Sequence, residues 1–295
     1  MIRLSQLTKS FKKLKVLDAL DLEISKGERV ALVGSNGAGK TTLIRCLLGE
    51  YTCGGEVSIA GANPRVARAQ VLSRIGFVPQ LPPPLKMPVS ELLRFSAAVS
   101  GTTVAAIEAI ATRLGLDAKA FARQPFFKLS GGQKQKLLIA IALGRKAELL
   151  IMDEPAANLD PEARGAFFGL LAERIESATM LISSHRVDEV AALVNRVIEL
   201  DRGKVVLDDR VADATLGGLL DCAVTLRRPD PAIAKALAEW GFKPRPEGLG
   251  WSGTVAAADR LRFMGLLSRY VGLLTQVSID ERAHGHSNAH LKVVQ

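Results

Sequence analysis

Apolar and polar residues alternate along Met1-Ile2-Arg3-Leu4-Ser5-Gln6, the period of a half-buried strand. Farther along, the alternation gives way to short unbroken apolar runs. Arg29–Val33, 149–152 and Thr179–Ser183 read as strands buried on both faces of a parallel sheet. Segments of helical spacing lie between them. Residues 41–48 form an apolar helix opening directly after a glycine-rich loop, and 134–143 form another. Residues 161–175 carry Asp160 as N-cap and Pro161 at the first helical position. Residues 89–116 have helical spacing, with Ser90 and Glu91 as the start and Gly115 as the stop. Three prolines in Leu81-Pro82-Pro83-Pro84 forbid helix and set an extended entry to that segment. A strand at 194–200, a turn at Asp201-Arg202-Gly203-Lys204 and a short strand at 205–207 close this part. Strands alternating with helices predict an α/β domain with a largely parallel sheet.

After about Ala214 the pattern changes. Residues 222–226, 250–255 and 273–279 read as strands and 232–240 and 256–270 as helices, a β-α-β-α-β order for a small α+β domain. The expected division is 1–214 for the main domain, with a helical part at about 85–145, then 215–282 for the accessory domain and 283–295 for a flexible tail. That tail holds His284, His286 and His290, three of the chain's 4 histidines. A metal could bind such a tract, but no Cys or acidic ligand is interleaved, which favours a plain disordered end.

Composition narrows the class. With 295 residues, 48% hydrophobic and 23% charged, the chain is long enough to bury a core. No run approaches the roughly 18 apolar residues of a membrane helix, so the chain is not expected to cross a bilayer by itself. The first residues lack the apolar centre and cleavage site of a signal peptide, so the chain is expected to stay in the cytoplasm. Cys46, Cys53 and Cys222 are an odd, scattered set and read as idle or buried thiols. A net charge of +9 suits nucleic acid, anionic lipid headgroups or a solvated surface. Aromatics at 5%, with no dense basic block among them, argue against a stacking reader of nucleic acid. A position beside a membrane accounts for the charge more economically than nucleic acid, and a merely solvated surface accounts for it about as well.

The chemistry sits in a few short segments. Gly34-Ser35-Asn36-Gly37-Ala38-Gly39-Lys40-Thr41-Thr42 follows the strand at Arg29–Val33 and opens a helix, the context a phosphate loop requires. Glycines at 34, 37 and 39 let backbone N–H groups converge on phosphate oxygens, and the helix offers its positive end to the same anion. Lys40 reaches the β- and γ-phosphates, Thr41 ligates Mg²⁺ through its hydroxyl, and Thr42 bonds an α-phosphate oxygen. Asp153 and Glu154 end the apolar run of 149–152, and adjacent buried carboxylates call for a cation.

Leu129-Ser130-Gly131-Gly132-Gln133 is the segment that narrows the class further. It resembles the signature of the ATP-binding cassette (ABC) family. Ser130 caps the helix behind it, and Gly131 and Gly132 let a phosphate approach closely. The match spans residues 1 to about 210. It implies a P-loop NTPase fold with a helical subdomain, ATP and Mg²⁺ as cofactors, and a head-to-tail dimer. There, Ser130 to Gln133 of one copy complete the ATP site formed by Gly34 to Thr42 of a second copy. By the same resemblance Asp153 holds Mg²⁺ and Glu154 is the general base. Gln80, after Gly76-Phe77-Val78-Pro79, is similar to the glutamine that reaches Mg²⁺ and the attacking water. His185 resembles the switch histidine at the γ-phosphate, and Asn158-Leu159-Asp160 the loop that crosses to the other subunit. Phe11 stands where the family keeps an aromatic that stacks on adenine, with a core phenylalanine as the alternative.

The family further implies integral membrane permease subunits as partners, and a peripheral position on the cytoplasmic face of the inner membrane. No nucleic acid is expected. One cassette followed by a small C-terminal domain most resembles exporters of the ABC-2 kind, including those of copper-enzyme maturation. Two other readings stay open: a soluble ABC ATPase acting on nucleic acid or ribosomes, and a cassette gated by a ligand-sensing C-terminal domain.

Overall fold

The computed structural model describes residues 1–281 apart from 186–189, 192, 211–218, 247, 257, 258 and 269. The tail at 283–295 with its histidines lies outside the described residues. The chain forms two compact units. One comprises Met1–His185 and Ile198–Val205, the other Arg186–Val197 and Val206–Gln295.

In the first unit, β1 (Ile2–Phe11) pairs with β2 (Leu14–Ile24) across a two-residue turn, where Lys12 takes a positive φ. The next strand, β3 (Arg29–Val33), belongs to a different sheet, and β4 (Gly54–Ile59) returns to pair antiparallel with β1. The resulting three-stranded sheet, β2-β1-β4, was only partly expected, since alternation is confined to Leu20–Ile24 of β2 and Val57–Ile59 of β4 and is lost in the rest of each strand. Their pairing with β1 is interrupted by register shifts, and Gln6 and Ala19 sit at positive φ beside them. Each bulge resets the period-2 pattern that sequence reading depends on.

The second sheet has the order β5-β6-β7-β3-β8-β9, with β5 (Ile75–Val78), β6 (Leu149–Asp153), β7 (Thr179–Ser183), β8 (Arg196–Asp201) and β9 (Lys204–Arg210). Pairs β5–β6, β6–β7 and β7–β3 are parallel. Helix α1 (Lys40–Leu47) packs Leu43, Ile44 and Leu47 into a core shared with Leu32, Ile151, Leu181 and Ile198. All seven are fully buried, worth about 1.5–3 kcal/mol each against exposure.

The short α2 (Arg68–Ser73) precedes β5. The long helix expected over 89–116 is two: α3 (Val89–Ser100) and α4 (Val104–Arg113), bent by 117°. Gly101 closes α3 at φ 65, Thr103 caps α4 by accepting from the Ala106 N–H, and Thr102 Oγ1 donates to Gly144 O at 2.7 Å. The α3 N-cap is Pro88 rather than Ser90 or Glu91, whereas Gly115 at φ 73 does mark the stop. Helix α5 (Gly131–Leu143) begins inside the signature, three residues before the expected 134, and α6 (Pro161–Ala172) starts on Asp160 as expected but ends three residues early. Among the described residues, no single helix is long and apolar enough to cross a membrane.

The second unit contains β10 (Leu219–Leu226), α7 (Pro231–Glu239), β11 (Lys243–Pro244), β12 (Gly250–Ala256), α8 (Arg260–Ser268) and β13 (Leu274–Glu281). Its antiparallel sheet runs β11-β12-β10-β13. The expected β-α-β-α-β order thus gains β11, too short for a sequence pattern, and becomes the βαββαβ of split β-α-β folds. Leu220, Cys222, Val224 and Leu226 alternate inward from β10 onto Ile233, Leu237, Phe242, Phe263 and Leu267. The Phe242 and Phe263 rings stack at 4.8 Å. Gly253 has to be glycine, because a Cβ there would stand 2.6 Å from the Phe242 ring. Asp209, buried in this unit, accepts from the Arg260 guanidinium at 2.8 Å.

Candidate functional site

Four neighbouring parallel strands carry the candidate residues at their carboxyl ends, where open α/β sheets bind ligands. In register, Val78 stands beside Met152, Met152 beside Ile182 and Ile182 beside Ala31. Just beyond these positions come Gln80, then Asp153 and Glu154, then Ser183 and His185, then Gly34. Three inter-strand steps of roughly 4.8 Å put all four ends within about 14 Å.

The loop from Gly34 to Gly39 turns on glycines at φ 142, 86 and 110. Gly34 also lies against the Leu200 carbonyl, so closely that a Cβ would collide with it, whereas a Cβ at Gly37 would meet nothing within 4 Å. The loop is therefore packed at its base and open at its tip, which fits a phosphate cradle. Lys40 Nζ donates to Gly34 O at 2.6 Å and Ser35 O at 3.3 Å, and the residue is only 8% exposed. Burial lowers the Lys40 pKa, with Glu154 and Asp153 pulling the other way. A desolvated ammonium facing two carboxylates marks a place for a polyphosphate with a divalent cation.

Ser183, whose role the sequence pattern did not reveal, organises the acidic pair. Its hydroxyl donates to Asp153 Oδ1 at 2.6 Å and accepts from the Glu154 N–H at 2.9 Å. The Ser183 carbonyl takes the same N–H at 3.2 Å. Glu154 is held at φ 48, a left-handed conformation that costs a non-glycine residue about 1 kcal/mol or more. That conformation turns its side chain toward His185, whose Nδ1 lies 2.8 Å from Glu154 Oε2. The Glu154 carboxylate is nearly buried while the His185 ring is 61% exposed. Asp153 is itself 2% exposed. Asp153, Glu154, Ser183 and His185 thus form one hydrogen-bonded unit, with Lys40 in its field.

The remaining candidates have other partners. Ser130 and Gln133 complete a reciprocal capping box: the Gln133 N–H donates to Ser130 Oγ at 3.2 Å and the Ser130 N–H to Gln133 Oε1 at 2.9 Å. Gly131 and Gly132 follow in the first turn, and a Cβ at Gly132 would come within 3.2 Å of Asn158 O. Asp160 accepts from the Ala163 N–H at 2.8 Å and pairs with Lys136 at 2.8 Å, which together hold its carboxyl below the ordinary range. Gln80 is exposed directly after β5. Ser35, Asn36 and Gly37 are exposed, Ala38 and Gly39 buried, and Thr41 and Thr42 half-buried at the start of α1. Phe11 is 41% exposed rather than a core residue, so its ring is available for stacking. Tyr51 meets it edge-on at 5.3 Å, and Lys9 Nζ lies 4.8 Å from its centroid.

Gln135 was also missed. It is fully buried, and its Nε2 donates to Pro155 O at 3.0 Å, tying the signature helix to the residue after Glu154. A glutamine on the apolar side of a helix was its only signal.

Residues 17–157 match a family described as ABC transporter. The chain is 35% identical over 208 residues to a zinc import ATP-binding protein of Marinobacter nauticus, covering 68% of this chain and 75% of that one. It is 34% identical over 222 residues to a Nod factor export ATP-binding protein of Cupriavidus pinatubonensis, covering 72% and 67%. A solved structure described as the ATP binding subunit of an ABC transporter superposes with a TM-score of 0.65 at 26% identity, covering 72% of this chain and 91% of that one.

Proposed function

We propose, from the premise that this chain belongs to the ABC transporter family of ATP-hydrolysing subunits, that two copies close head to tail around two ATP and drive movement through separate membrane subunits. The observation that carries this is the hydrogen-bonded unit of Asp153, Glu154, Ser183 and His185 beside the Lys40 loop. In this reading Gly34 to Thr42 hold the phosphates, and Phe11 stacks on the adenine. Thr41, Gln80 and Asp153 hold Mg²⁺, which supplies charge neutralisation at the phosphates. Glu154 takes the proton of the attacking water, and His185 fixes the Glu154 carboxylate. Ser130 to Gln133 present the N-terminus of α5, a ready anion site, to the partner copy's nucleotide. Asp160 sits at the crossing loop. Leu81, Phe95, Val99 and Phe127 are exposed apolar side chains on and around the helical part, a surface suited to a membrane subunit.

The peripheral, cytoplasmic position follows from that partnership. Outward transport of the ABC-2 kind is the finer reading, supported by a single cassette followed by a small C-terminal unit, which we take as an accessory domain over 215–282. Relatives named for import and for export both resemble the chain at similar identity, so the direction rests on architecture. Glu154→Gln keeps the shape but removes the base. Sizing with ATP and Mg²⁺ is expected to show a stable dimer with turnover lost; sustained hydrolysis in that variant would overturn the assignment.

A further inference from the structure

Phe11 is the last residue of β1, and a ring at a strand end with 41% exposure has two torsions to settle. Two neighbours settle them. Tyr51 meets the ring edge to face, with centroids 5.3 Å apart and planes at 81°. Lys9 Nζ, from two residues back on the same strand, lies 4.8 Å from the Phe11 centroid and 5.4 Å from that of Tyr51. Those three distances close a nearly equilateral triangle. Seen from Phe11, Tyr51 and Lys9 therefore lie on one side of the ring, and neither occupies the opposite side.

Each neighbour is itself anchored. Lys9 Nζ donates to Thr52 O at 2.7 Å, which fixes its charge beside the residue after Tyr51. Tyr51 is half-buried and packs against the apolar core. Its N–H and that of Glu50 donate to Arg45 O at 3.4 and 2.9 Å, and the Gly49 N–H donates to Cys46 O at 3.0 Å. The chain thus folds back on the last turn of α1. The Arg45 guanidinium lies 5.7 Å from the Tyr51 centroid while pairing with Glu50 at 3.3 Å. Helix α1 opens at Lys40, so Tyr51 ties the Phe11 ring to the same helix that carries the phosphate loop at its other end.

A nucleotide has to meet the loop and the ring at once. A ring left free would lose its rotational freedom at each binding event, at the expense of affinity, whereas a ring held beforehand does not.

We propose that Tyr51 and Lys9 are positioning residues for the base, holding Phe11 with its unoccupied side toward an adenine whose phosphates lie in the Gly34–Thr42 loop. This rests on the reading of Phe11 as the stacking ring. An aromatic cluster that only closes the edge of the core would show no dependence on the base.

The full chain is titrated calorimetrically with ADP and with pyrophosphate, both with Mg²⁺; pyrophosphate has the phosphates and lacks the base. Phe11→Ala is expected to weaken ADP about tenfold or more and to leave pyrophosphate unchanged. Tyr51→Leu and Lys9→Met are each expected to weaken ADP about three- to tenfold, again without effect on pyrophosphate. Tyr51→Phe keeps the edge contact and Lys9→Arg keeps the cation, so both are expected to retain native affinity. With Phe11 already alanine, Tyr51→Leu and Lys9→Met are expected to change nothing further. Equal losses for ADP and pyrophosphate would assign the two residues to the folding of this segment alone and overturn the proposal. So would undiminished ADP affinity in both variants, or a loss that persists at full size beside Phe11→Ala. If Phe11→Ala itself leaves ADP unchanged, the stacking reading fails first and the proposal with it.

Discussion

Ser183 engages both acidic residues of the site at once, donating to Asp153 and accepting from the Glu154 N–H. Removing its hydroxyl leaves the buried Asp153 carboxylate short of a donor and the left-handed Glu154 less well anchored. Ser183→Ala is therefore expected to cost about 1–3 kcal/mol in urea unfolding and to lower kcat more than the apparent ATP affinity, measured in a coupled ATPase assay. Lys40 gives a pH dependence. Its pKa falls below 10.5 on folding through burial, against the pull of Glu154 and Asp153. The folded chain then binds fewer protons than the unfolded one, so the stability cost of burying this ammonium is present below the folded pKa and is lifted as pH rises through it. A polyphosphate favours the protonated lysine, so nucleotide binding is expected to take up protons in alkaline buffer and to weaken as pH rises. Calorimetry in two buffers of different ionisation enthalpy reads that uptake; an uptake independent of pH would contradict it.

Elements were legible where their period was unbroken. β3, β7, α5 and the Asp160-capped α6 could be placed from local pattern, because buried strands and capped helices sign themselves within a few residues. The segment at 89–116 kept helical spacing across a break, since periodicity does not register the 117° bend at Gly101. In the second unit, Asp209 near the end of β9 pairs with Arg260 of α8, both nearly buried. Burial raises the Asp209 pKa while Arg260 opposes it, and among the described residues Asp209 Oδ2 and Arg260 Nε have no hydrogen-bond partner. Breaking such a pair from one side leaves an uncompensated charge. Arg260→Met is expected to destabilise this unit by about 3–5 kcal/mol, and the double change with Asp209→Leu to recover most of it. Both tryptophans, Trp240 and Trp251, pack against this unit's core, so their fluorescence during urea unfolding reports on it alone.

On the scale of the whole molecule, two of the three scattered cysteines are brought together, while Cys222 lies in the second unit. Cys46 and Cys53 come together beside Lys9: burial, then Cys53, push the Cys46 thiol up to about 12, with Lys9 opposing. Burial likewise pushes Cys222 up to about 12, with Arg260 opposing and the charges of Asp221 and Asp280 adding to it. Alkylation of the native chain at neutral pH is expected to label Cys53 and spare Cys46 and Cys222, with all three labelled in denaturant; mass spectrometry of the digest distinguishes these outcomes. The sequence alone determined which residues could do phosphate and acid–base chemistry, because a glycine loop between strand and helix and carboxylates at the end of an apolar run are local patterns. Only the tertiary structure decided which of them meet. Ser183 reaches Asp153 from thirty residues away, Gln135 reaches Pro155, and Asp221 faces Asp280, because strand order and sheet register bring them together. Such contacts depend on loop closure and core packing between distant segments, and no window of neighbouring residues contains them.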